Sequence, residues 1–229
     1  MSNIYEEGQV LLINKPLHWT SADVARKIRN TIRIKKVGHA GTLDPLATGL
    51  LIVCTGKFTK KINEFMAQEK EYIGSFTLGA VTATYDLESE PENFKDFSYL
   101  SPEQIEAATA QFIGNIEQVP PIYSAIKTNG KRAYAMARRG EEVELKSRKI
   151  FIREFKITAI ELPRIGFRVV CSTGTYIRSL AHDMGKALSC GAYLSSLCRS
   201  RIGAYTLDKS MTMEEALQDV RKNLGDQNG

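Results

Sequence analysis

The 229-residue chain has no apolar run near the roughly eighteen residues that a membrane-spanning helix needs. Its opening, MSNIYEEGQVLLINKP, sets two glutamates before a short apolar run, which excludes a secretory signal and points to the cytoplasm. Cysteine is scarce: Cys54, Cys171, Cys190 and Cys198 form no C-x-x-C pair, and His18, His39 and His182 show no H-x-x-x-H spacing. No metal site is therefore expected, and the thiols read as free and buried. His182–Asp183 invites a metal-hydrolase reading, but a pair on a helix surface accounts for it. The chain also lacks an internal repeat, a clear linker and a G-x-x-x-x-G-K-[ST] loop, so a nucleoside triphosphate site is not expected.

The residues present are an ordinary globular mixture, 43% hydrophobic and 25% charged, long enough to bury a substantial core. The net charge of +5 is unevenly spread. Residues 84–106 carry seven acids against Lys95, whereas residues 127–156 carry ten basic residues against four glutamates. Residues 164–201 add six more cations against Asp183 alone. Basic blocks separated by an acidic spacer suggest one positive surface facing a polyanion.

QVLLINKP reads as a strand ending at Pro16, and Thr20 with Asp23 forms a capping box for a helix through SADVARKIRNTI. GLLIVCTG is a buried strand, KFTKKINEFMA has helical spacing, and KEYIGSFTLGAVTATYD alternates as one long strand. An acidic loop spans 88–99, then Ser101-Pro102 starts the helix EQIEAATAQFIG. Asn129-Gly130 turns into a short basic helix, and residues 141–174 read as three strands. TYIRSLAHDMGKAL is a helix, AYLSSLCRSRIGAYTL a strand and TMEEALQDVRKNL a closing helix. The class is α+β: a mixed, mostly antiparallel central sheet with helices packed on it.

One loop stands apart. In VGHAGTLDPLATGLLIVCTG, Asp44-Pro45 lies among Gly38, Gly41 and Gly49, between two apolar anchors. Aspartate before proline is an ordinary turn former. Bare flanks that admit a close approach, and strands that fix the loop's position, give the carboxylate a second use. To stay ionised when buried it needs a cation or several N–H donors. Arg178, in the first turn of the helix after STGTY, is the best distant candidate for a bidentate partner.

GHAGTLDPLATGLL is very similar to the catalytic motif of the TruB-type tRNA pseudouridine synthases. INKPLHWTSADV, KEYIGSFTLGAVTATYD, QVPPIYSAIKTNGKRAYAMARRG, TGTYIRSLAHDMG and YLSSLCRSRIGAY resemble the family's other motifs in the same order, across roughly residues 9–207. The resemblance implies the pseudouridine synthase fold, with a catalytic domain over 1–207 and a tRNA-clamping insert near 118–145; where relatives often carry a PUA barrel, residues 208–229 depart from the family and read as a single C-terminal helix. It implies isomerisation of uridine 55 in the tRNA T loop, with no cofactor, by an enzyme that is expected to be monomeric and to need no guide RNA. Asp44 matches the catalytic aspartate, acting either as a nucleophile on C1′ or as a base at C2′. His39 corresponds to the residue filling the gap left by the flipped base, and Tyr72 to the tyrosine stacking on it. Tyr176, Arg178, Leu197 and Asp86 correspond to pocket positions, with Arg178 as the partner of Asp44. Lys127, Lys131, Arg132, Arg138 and Arg139 then form an arm contacting RNA phosphates.

Two other functions compete. A tRNA-folding module would use the same flipping apparatus with little chemistry. A nucleoside hydrolase would want a second carboxylate as proton donor, and the sequence offers none near Asp44.

Overall fold

The computed structural model describes residues 4–124, 127–128, 131–133, 136, 139 and 145–225, with backbone alone for 127, 128, 131 and 132. Two compact units result: Met1–Tyr72 with Leu197–Gly229, and Ile73–Ser196.

In the first unit, α1 (Ile4–Glu7) and β1 (Val10–Lys15) precede α2 (Ser21–Ile32), β2 (Val37–Ala40) and β3 (Ala47–Thr55). β3 is the centre. It pairs antiparallel with β1 (Ile13 opposite Leu51) and with β2 (His39 opposite Val53), and parallel with β10 (Ala192–Ile202; Leu197 opposite Ala47). Alternate β3 side chains enter two cores, which is why its sequence is apolar throughout rather than alternating. Leu51 and Val53 join Leu11, Ile13, Val24, Ile28 and Ile32, together with Met213, Ala216 and Val220 of α6 (Met213–Gly225). Leu50, Ile52 and Cys54 join Ala40, Phe65 and Ile202 on the other side.

Helix α2 forms where its signals place it. The Thr20 hydroxyl accepts from the Asp23 N–H and the Asp23 carboxylate accepts from the Thr20 N–H. The helix ends at Arg33, whose φ of 56° directs its N–H to the Arg29 carbonyl at 2.9 Å. The expected helix over KFTKKINEFMA begins instead as a 3-10 turn, Gly56–Lys61, before α3 (Ile62–Ala67).

The second unit holds most of β4 (Lys70–Leu78) and the first half of β10, with α4 (Pro102–Ala108), β5 (Gly114–Gln118), β8 (Arg148–Glu161), β9 (Arg164–Cys171) and α5 (Ile177–Ala187). Two-residue strands β6 (Lys127–Thr128) and β7 (Lys131–Arg132) pair with each other. β8 pairs antiparallel with β5 and β9, and the latter ladder shifts register twice. Phe76 stacks on Phe167 (centroids 4.5 Å apart) and meets Phe155 edge-on at 6.0 Å, forming the aromatic core.

Two expectations need correction, and a third falls outside the described residues. The strand drawn through Asp86 stops at Leu78, because Gly79 takes a φ of 91° and its N–H leaves the ladder for the Gly191 carbonyl. The helix after Ser101 ends at Ala108, tightens to 3-10 over Thr109–Phe112 and gives way to β5. Between 145 and 174 there are two strands; residues 141–144, where the first of the three was expected to begin, lie outside the described residues. The tail of TYIRSLAHDMGKAL and the capped start at Ser101 fall where expected.

Candidate active site

Asp44, half-buried, lies in the loop joining β2 to β3. Its carbonyl accepts the Ala47 N–H at 3.0 Å, closing a turn with Pro45 in the position its fixed φ suits. The Ser21 hydroxyl at the start of α2 holds both sides of buried Leu43, accepting from its N–H at 2.8 Å and donating to its carbonyl at 3.3 Å. Beyond the aspartate, the Pro45 carbonyl accepts the His18 N–H at 2.8 Å. The glycines serve the chain's own backbone: Gly49 (φ 101°) faces Arg199 across the parallel ladder, and a Cβ there would strike the Arg199 main chain. The carboxylate is thus carried on a loop tied down on both sides.

Two buried cations flank this loop, and neither stood out in the sequence. Lys15 closes β1 fully buried, its Nζ donating to the carbonyls of Pro16 (2.8 Å) and Trp19 (2.6 Å) and lying 3.5 Å from that of Pro45. Arg199 donates from Nε to Leu50 at 2.8 Å and from Nη2 to Gly41 at 3.1 Å. Burial brings the Lys15 pKa down to about 8, against the upward pull of the Asp44 carboxylate; Arg199 presses it further down. A lysine at the end of an apolar strand and an arginine in an alternating one both resemble surface residues until the fold covers them.

His39 stands on β2, its Nδ1 buried and without a hydrogen bond among the described residues. Burial, helped by Arg199, lowers its pKa, so the ring is neutral at neutral pH. Leu197 sits beside Ala47, the residue that closes the Asp44 turn, and Tyr72 is buried on β4 at 9% exposure.

In the second unit, α5 gathers three of the expected residues. Arg178 and Asp86, each about 5% exposed, form an ion pair with Nε 3.6 Å from Oδ2. Arg178 also donates from Nη1 to the Thr84 carbonyl and from Nη2 to that of Tyr123, both at 3.0 Å. Asp86 is further tied down: its Oδ1 accepts from the Thr84 hydroxyl at 2.6 Å and the Glu88 N–H at 3.0 Å. Tyr176 caps the helix. Its N–H donates to the Gln118 side chain at 2.8 Å, and that side chain donates back to its carbonyl at 3.0 Å. Gln118, 1% exposed, was not anticipated; a glutamine in a short strand carries no sequence signal.

One turn beyond Arg178, His182 stacks on Tyr85 with centroids 3.9 Å apart and planes 11° apart. The pair His182–Asp183 is therefore not a plain surface feature: both are half-buried, and burial with nearby Lys186 lowers the His182 pKa to about 4. Among the described residues no three His, Cys, Asp or Glu side chains group as metal ligands. Of the basic arm, Lys127, Lys131 and Arg132 are described only as backbone in β6 and β7, and Arg138 lies outside the described residues. Arg139 is exposed.

Comparison with known proteins gives the family. The model of the TruB family pseudouridylate synthase N-terminal domain matches residues 29–177, and that of the tRNA pseudouridylate synthase B C-terminal domain matches 178–227. The chain belongs to the TruB family of pseudouridylate synthases. A Flavobacterium johnsoniae protein named tRNA pseudouridine synthase B is 52% identical, covering 93% of this chain and 98% of that one. A protein of the same name from Parabacteroides distasonis is 50% identical, covering 95% of each. Among solved structures, a chain of a Cbf5-Nop10-Gar1 complex superposes with a TM-score of 0.73 at 29% identity over 93% of this chain. A chain from an H/ACA RNP bound to a substrate RNA gives 0.71 at 25% identity. This chain spans 54% of each of those two, so the likeness bears on the synthase fold they share.

Proposed function

We propose that this TruB-family chain converts uridine 55 in the T loop of tRNA to pseudouridine, in the cytoplasm, as a monomer and without a guide RNA. The observation that carries this is the match to bacterial proteins named tRNA pseudouridine synthase B over nearly their whole length. The reaction breaks the C1′–N1 bond, turns the uracil, joins C5 to C1′, and moves a proton from C5 so that N1 ends protonated. Composition is unchanged, so no co-substrate is consumed. Asp44 acts on the sugar while the base is detached, as nucleophile at C1′ or base at C2′; both need the ionised carboxylate. The Lys15 and Arg199 cations beside the loop favour that form, and Arg178 is its proposed partner across the reaction. Tyr72 would stack on the extruded uracil, neutral His39 would occupy its place in the RNA loop, and Tyr176, Leu197 and Asp86 would shape the pocket.

Residues 1–207 are read as the catalytic body, with 118–145 as a clamp whose cations Lys127, Lys131, Arg132, Arg138 and Arg139 meet RNA phosphates. In the segment 208–229, Met213, Ala216 and Val220 of α6 join the core cluster that holds α2, which supports treating it as part of that body. The deciding experiment replaces Asp44→Asn and tracks an unmodified T-arm transcript by carbodiimide primer extension. Conversion should vanish while RNA binding persists. Full turnover by the variant would overturn the assignment, and a wild-type protein that binds without converting would leave only the RNA-folding role.

A further inference from the structure

The outward face of α2 has no part in the proposed chemistry. Val24, Ile28 and Ile32 turn one side of the helix into the core. The opposite side, by the helical repeat, presents Arg26, Lys27, Asn30 and Arg33, all exposed. Two depressions adjoin along it and share Asn30. One of about 370 Å³ is bordered by His18, Trp19, Asp23, Arg26 and Lys27, and one of about 460 Å³ by Arg29, Arg33 and Lys35. Residues 26–36 contain six cations and no acid. The carboxylate at the edge of the first depression, Asp23, is occupied by the helix cap and by Arg26 at 2.9 Å.

Helix stability explains only part of this charge. Arg29 and Arg33, in and after the last turn, complement the negative end of the dipole. Arg26 and Lys27 sit mid-helix, and Lys35 and Lys36 lie past its end, where that benefit is gone. The stripe is also anchored to the Asp44 loop, since the His18 N–H binds the Pro45 carbonyl and Lys15 holds the Trp19 carbonyl. Trp19 packs partly against the core and leaves the rest of its indole in the groove.

We infer that this stripe is a second RNA-binding surface, which takes the sugar-phosphate backbone of the substrate next to the modified loop and offers Trp19 to a nucleobase. The inference rests on the proposed tRNA-modifying function. Cations on a helix about 18 Å long reach several consecutive phosphates, and an aromatic at the near end supplies sequence-tolerant stacking.

Trp19 is the only tryptophan of the chain, so its emission reports this groove directly. Titration of the full chain with an unmodified T-arm hairpin should quench it. Replacing Arg26→Gln, Lys27→Gln and Arg33→Gln together should weaken binding at least tenfold and lower the slope of log affinity against log salt by about two to three. Asn30→Glu, which removes no cation, should weaken binding in the same direction. Turnover at saturating RNA should stay at the wild-type value, so that KM rises and kcat does not. Unchanged affinity and slope in the triple variant, with emission indifferent to RNA, would overturn the surface while leaving wild-type conversion intact. A wild-type protein that neither binds nor converts the hairpin would overturn both the surface and the function beneath it.

Discussion

Lys15 carries a full ammonium inside the protein, held by two main-chain carbonyls, and its titration can be read as stability. Its native pKa of about 8 lies below the ordinary 10.5. Between those values the unfolded chain binds the extra proton, so stability rises with pH there; below pH 8 both states are protonated and the full burial cost stands. Lys15→Met removes this dependence and leaves the Pro16 and Trp19 carbonyls without their donor, a loss of about 1–3 kcal/mol at each. Urea unfolding should show the variant less stable at pH 7, with the gap to wild type widening by on the order of 2 kcal/mol by about pH 10; a constant gap would refute the buried ammonium. Because the Asp44 carboxylate supports the charge, Asp44→Asn should shift the Lys15 titration, measured by NMR of its ε-methylene, to lower pH. Arg178→Ala should lower kcat far more than RNA affinity; an equal loss of both would refute its role as the partner of Asp44. The tied-down loop carrying Asp44 was legible, because a lone acid among glycines placed before a buried strand is an unusual pattern. Lys15, Arg199 and Gln118 were not, because their roles are main-chain contacts with residues distant in sequence or hidden by burial.

At the scale of elements, the helix starts were legible and the ends of extended segments were not. Thr20 and Ser101 carry their capping partners three residues on, a local signal that no tertiary contact alters. The alternation running through Leu78 into VTATYD continues past the true end of β4, because a single left-handed glycine breaks the ladder without breaking the pattern. Past that glycine the chain turns: Tyr85, at φ 63°, is held against His182 and Asp86 against Arg178, one helical turn apart on α5. The stack therefore helps fix the ion pair. Neutral His182, with its pKa near 4 instead of 6.5, contributes stability above pH 6.5 that is lost as the pH falls toward 4, since the unfolded chain takes up the proton first. His182→Phe keeps a stacking ring and removes that proton site. Between about pH 7 and about pH 4.5 the wild type should lose on the order of 2 kcal/mol more stability than the Phe variant. Equal acid sensitivity would show that the imidazole is not buried in solution. Breaking the ion pair by Asp86→Ala should cost about 3–5 kcal/mol, seen as a fall in Tm, because the buried Arg178 would lose the carboxylate it meets at 3.6 Å.

For the whole molecule, the sequence conveyed an α+β class, but not the strand order. The place of β10 beside β3 is a pairing of residues 150 apart, Leu197 with Ala47, which no local pattern encodes. Nor did the chain show a boundary, and the structure gives the reason: β4 and β10 each carry residues of both compact units, with no linker at either crossing. The Glu71 side chain accepts the Ser200 hydroxyl at 2.7 Å in the first unit, and Ser75 meets Ser195 at 2.9 Å in the second, on the same two strands. A strand cannot keep half of its ladder while the other half dissolves without exposing paired backbone groups, each costing about a hydrogen bond. Unfolding should therefore be a single transition. Trp19 lies in the first unit and its emission reports that part alone, whereas far-UV circular dichroism reports every element. In urea the two midpoints should coincide. A tryptophan transition completed while half the ellipticity remains would mean that the two units melt separately.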